Sequence, residues 1–131
     1  MPLSADAIVV RGGTEMTVER VTYLLEEAVA DGDGAVISVY AEDAEPGEDL
    51  AVTLERISRT ADLPHRQIQI SALSRLVTNG LDVVPAIDAG EASNHHHVVF
   101  DYPIDTVQVA AFVEAWDGPV LNPTGGKRRQ R

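Results

Sequence analysis

Three of the four histidines in this chain stand together in the stretch Asn94-His95-His96-His97-Val98-Val99-Phe100, which runs straight into an apolar pattern. Side chains alternate faces along a strand, so His95 and His97 share one face with Val99, and His96 shares the other with Val98 and Phe100. One face is thereby set apart for polar work. A neutral imidazole at His97 can position a ligand hydroxyl or phosphate, or move a proton near neutral pH. Imidazoles at i and i+2 can also chelate a metal, and His95 and His97 with His65 or a carboxylate would complete a three-ligand zinc site. No HExxH or comparable spacing demands this, and three adjacent histidines also suit a plain polar strand start.

Two further residues have the right chemistry. Arg11 follows the apolar run Ala7-Ile8-Val9-Val10 and is released by Gly12-Gly13, so its planar fork can meet a phosphate or carboxylate. The plainer alternative is a solvated turn arginine. Gly12-Gly13-Thr14 before a helix can help to hold an anion, although it lacks the lysine of a P-loop. Ser38 interrupts the apolar stretch Ala35-Val36-Ile37-Ser38-Val39-Tyr40, where a hydroxyl must either find a backbone partner or face a cleft. Without a GxSxG context it is not a hydrolase nucleophile.

The elements that must position these residues follow from periodicity. Residues 7–10 read as a buried strand. A helix follows, capped at Thr14 or Thr17, with Val18, Val21, Leu25, Ala28 and Val29 on one face, and Asp31-Gly32-Asp33-Gly34 ends it. Residues 35–40 form a strand covered on both sides, and the acidic segment 41–48 an exposed loop. Leu50, Leu54, Ile57 and Ala61 fit a helix over 48–60, though the alternation of Leu50, Val52 and Leu54 also fits a strand. Residues 67–70 alternate as a strand, 73–77 form a short helix stopped at Asn79-Gly80, and 81–85 form an edge strand ending in Pro85. A turn over 88–94 leads into the histidine strand, 95–100. The last helix runs from Val107 to Trp116, stopped by Asp117-Gly118-Pro119. The chain is thus expected to be an α/β (α+β) single compact domain over 1–121, a mixed sheet flanked by three to four helices, with a flexible basic tail over 122–131.

Composition narrows the chemistry. The chain of 131 residues has no cysteine, which removes disulfides, thiolate nucleophiles and cysteine-ligated zinc. No apolar run approaches a membrane span, and the start lacks the pattern of a signal peptide, so a cytoplasmic location is expected. The net charge is -11, yet Lys127, Arg128, Arg129 and Arg131 crowd the last five positions, leaving 6 basic against 21 acidic residues over 1–126. Such a body repels nucleic acid except through its tail, and it suits a basic protein partner.

With Arg11 and Gly-Gly after the first strand, Ser38 on the next, and a late strand opening on His95-His96-His97, the order of elements over residues 7–113 resembles the small ADP-ribosyltransferase-like fold of bacterial toxins and defence proteins. The resemblance implies a nucleotide ligand, NAD or a relative. Arg11 with Gly12 and Gly13 would hold its phosphates, Ser38 and Tyr40 would line the nicotinamide ribose, and His97 would take the late position that assists transfer. The chain departs from the family in having no Glu-x-Glu near the late strand, and Glu91 falls in a turn. The rival expectation is a non-enzymatic acidic antitoxin, immunity protein or inhibitor. The third is a metal enzyme using His95 and His97.

Overall fold

The computed structural model describes residues 2–88 and 90–125. In chain order they form β1 (Ile8–Gly12), α1 (Val18–Ala30), β2 (Val36–Glu42), α2 (Leu50–Ala61), β3 (Gln67–Ala72), α3 (Leu73–Thr78), β4 (Asp82–Pro85), β5 (His95–Val99), α4 (Thr106–Glu114) and β6 (Asp117–Leu121). The strands make one six-stranded sheet in the order β4-β5-β2-β1-β3-β6. Among the described residues no helix is long and apolar enough to cross a membrane.

Local signals explain the helices. Thr17, rather than Thr14, caps α1 by accepting the Arg20 N–H at 3.1 Å, and Asp49 caps α2 by accepting the Val52 N–H at 3.0 Å. Val21 and Leu25, one turn apart, bury the inner stripe of α1. In α2, Leu54 and Ile57 do the same, so the helical pattern prevails over the strand pattern once a sheet face is there to receive it.

The sheet is covered unequally on its two sides. On one side Val9, Ile37, Val39 and Val98 pack with α1 and α4, whose Phe112 ring lies 5.0 Å from Phe100 and 5.6 Å from Trp116. Phe112 is completely buried. A phenylalanine so placed contributes about 3–5 kcal/mol relative to alanine. On the other side Val10 and Ile68 pack with Leu54, Ile57 and Leu63 in a smaller cluster. Here α2 lies over β1 and β2. The β2–β5 half of that side carries polar side chains instead.

The single α+β domain agrees with expectation, and four details differ. The sheet is antiparallel in every described pairing, where a mixed sheet was expected. The apolar run of β2 reports cover on two faces, and helices on both sides supply it without parallel neighbours. The first strand also continues through Arg11 and Gly12, which pair with Gln69 and Ile68 of β3 after pairing with β2 has ended at Val10↔Tyr40. Finally, Asp117-Gly118-Pro119, read as a helix stop, opens edge strand β6, which pairs with β3 across a register shift. The tail expected from residue 122 begins with an anchored turn. Asn122 is buried and donates from Nδ2 to the carbonyls of His65 (2.8 Å) and Leu63 (3.3 Å). Its basic part, 126–131, lies outside the described residues.

Candidate functional site

The register of β2 against β5 sets Ser38 opposite His97 and Tyr40 opposite His95. The Ser38 carbonyl accepts a hydrogen bond from Arg11 Nη1 at 2.7 Å on the β1 side. Ser38 and His97 are therefore a non-hydrogen-bonded pair, the arrangement that brings facing side chains closest. The Tyr40 and His95 rings lie 5.4 Å apart, and the His95 and His97 rings meet edge to face at 5.2 Å. These four side chains floor a cavity of about 290 Å³, closed at its rim by Asp33, Ala86, Asp88 and Glu91. His96 points the other way, is buried, and donates from Nδ1 to the Asn94 carbonyl at 2.8 Å. Alternation of faces along the histidine strand thus holds in the structure.

The tautomers follow from the partners. The Ala86 carbonyl only accepts, so His95 Nδ1, 2.6 Å away, is the donor. Glu91 Oε1 lies 3.4 Å from the same nitrogen. Burial holds the His97 imidazole below the ordinary histidine value, His95 adds to this, and the carboxylates of Asp33, Glu91 and Asp88 oppose it. His97 is neutral at pH 7 and accepts hydrogen bonds. Burial likewise raises the Tyr40 phenol, helped by Glu91 and opposed by Arg11. Burial and Arg20 lower Arg11, against a raising influence from Tyr40, and its guanidinium remains charged.

No family model, curated protein or solved structure matches this chain.

Ser38 and His97, remote in sequence, line one cavity with Tyr40 and His95, whereas Arg11 is not among its described lining residues and instead donates to the Ser38 carbonyl. Arg11 stands behind the cavity, its Nη1 turned to a carbonyl that the splayed β1–β2 pairing leaves open. Gly12 and Gly13 face elsewhere. Gly12 packs on the His65 ring, and Gly13 lines a second cavity of about 280 Å³ with Thr14, Pro64, His65, Arg66 and Gln67. His65, offered as a third metal ligand, thus lines a different cavity from His95 and His97. Among the described residues no group of three or more His, Asp or Glu side chains is arranged to hold a metal ion.

Asp33, Asp88 and Glu91 belong to no periodic segment of the sequence. Asp33 falls in the stop after α1, and the other two fall in the turn before β5. A usable signal was present, because each flanks one of the two strands bearing the polar floor. Taken together, neutral imidazole and phenol groups under a carboxylate rim make a site rich in acceptors. Such a site favours a positively charged, hydrogen-donating group.

Proposed function

We propose that this protein is an acidic binding protein of the antitoxin, immunity or inhibitor kind, which covers a basic surface of a partner and seats one cationic side chain in the His95–His97 cavity. The observation that carries this reading is the rim of Asp33, Asp88 and Glu91 above neutral His97. A guanidinium entering there meets carboxylates on its edges and the imidazole as a further acceptor, with the Tyr40 ring at the floor. The net charge of -11 steers such a partner inward from a distance, and this contribution is screened by salt. An arginine-rich peptide serves as the probe in titration calorimetry. The expected result is binding that weakens steeply with added salt and falls at least about tenfold, or 1.4 kcal/mol, in the Asp88→Asn/Glu91→Gln double variant. Equal affinity in the variant and the parent would remove the reading.

A second reading, an ADP-ribosyltransferase-like protein binding NAD, draws support from a separate observation. Arg11 is joined to the Ser38 carbonyl opposite His97, and Glu91 brings a carboxylate into that cavity from its turn. In this reading Arg11 turns its fork to the diphosphate. Glu91 stabilises the oxocarbenium-like ribose as the C1′–N bond breaks and its electron pair leaves with nicotinamide. NAD should then raise the melting temperature of the protein, and Arg11→Ala and His97→Ala should each abolish the rise. No shift in any sample counts against it.

A further inference from the structure

The second cavity, between the β1–α1 loop and the α2–β3 loop, differs in character from the rest of the molecule. In a chain with 21 acidic and 10 basic residues, its lining among the described residues includes Arg66, His65 and Thr14 but no carboxylate. Its walls are held by specific contacts. A Cβ at Gly12 would stand 2.1 Å from His65 Nδ1, so only glycine lets the imidazole lie against this backbone. Gly13, at φ +96°, turns the chain so that its N–H donates to the Gln67 carbonyl at 2.9 Å, which sets Thr14 at the mouth. From the opposite side Asn122 clamps the His65-Arg66 backbone, donating from its N–H to the Arg66 carbonyl and from Nδ2 to the His65 carbonyl, each at 2.8 Å. The next turn is closed by Gly125 N–H on the Asn122 carbonyl at 2.8 Å.

We propose that this cavity binds a phosphate group. Arg66 supplies paired donors matched to two phosphate oxygens, and Thr14 brings a hydroxyl to the same cavity. An anion is accepted here because no carboxylate among the described lining residues opposes it, whereas Asp33, Asp88 and Glu91 line the His95–His97 cavity. The inference stands apart from the function proposed for that other cavity.

The test is an NMR titration of the full chain with sodium phosphate at pH 7, with sodium chloride at matched ionic strength as control and adenosine monophosphate as a second ligand. Saturable shifts are expected at Gly13, Thr14 and residues 65–67, weakened at least about tenfold by Arg66→Ala and partly restored by Arg66→Lys. Stronger binding of the nucleotide identifies a phosphate ester as the ligand, and equal binding identifies the free ion. The Asp88→Asn/Glu91→Gln variant should keep these shifts whether or not it captures the arginine-rich peptide. Shifts that chloride reproduces, or that survive Arg66→Ala unchanged, overturn the proposal.

Discussion

At the scale of single residues, His97 is the group whose behaviour follows most directly from its surroundings. Its folded-state pKa lies below the ordinary value of 6.5, first through burial and then through His95, while Asp33, Glu91 and Asp88 pull the other way. As pH falls through 6.5 the unfolded chain gains a proton that the folded protein still refuses. Stability is therefore lost from about pH 6.5 down to the folded value and levels off below it. His97→Asn should flatten this part of the profile, so the stability gap between parent and variant in urea should narrow from pH 8 to pH 5. A gap that stays constant would contradict the assignment. Alternation along residues 95–100 was enough to place His95 and His97 on one face. It gave no access to Glu91, because a turn has no period from which a side-chain direction can be read.

Among the elements, the acidic segment between β2 and α2 shows how charges expected to be merely exposed become part of the structure. Arg56 of α2 pairs with Glu42, donates to Glu48 Oε1 at 2.6 Å, and reaches the Asp43 carbonyl at 3.1 Å. Hydrogen bonding from Arg56, then the Glu45 N–H and the Thr53 hydroxyl, hold Glu48 down to about 2. Because the folded pKa is depressed, the stability linked to Glu48 is complete above the ordinary 4.5 and is lost as pH falls towards 2. In Arg56→Ala a carboxyl ¹³C titration should find Glu48 back near the ordinary range, and a midpoint still near 2 would show that other donors suffice. The helical face of α2 was legible from Leu54 and Ile57 alone. Strand β6 was not, since all five of its residues are exposed and its Gly118-Pro119 reads as a break. Pairing with β3, a contact remote in sequence, is what makes it a strand.

For the molecule as a whole, unequal cover of the sheet creates the site. Helices α1 and α4 seal one side over the larger core, while α2 covers β1 and β2 on the other and leaves the β2–β5 face to Ser38, Tyr40, His95 and His97. The balance of 21 acidic against 10 basic residues was plain from composition, but its division into a carboxylate-rimmed cavity and an arginine-lined one needed the fold. The central claim is that the first of these cavities receives a cation. Its most direct test follows the ring ¹⁵N resonances of His95 and His97 while argininamide is added at pH 7 and constant ionic strength. The account predicts saturable shifts at His97, smaller ones at His95, and loss of both in the Asp88→Asn/Glu91→Gln variant. Unchanged histidine resonances at saturating argininamide would contradict it.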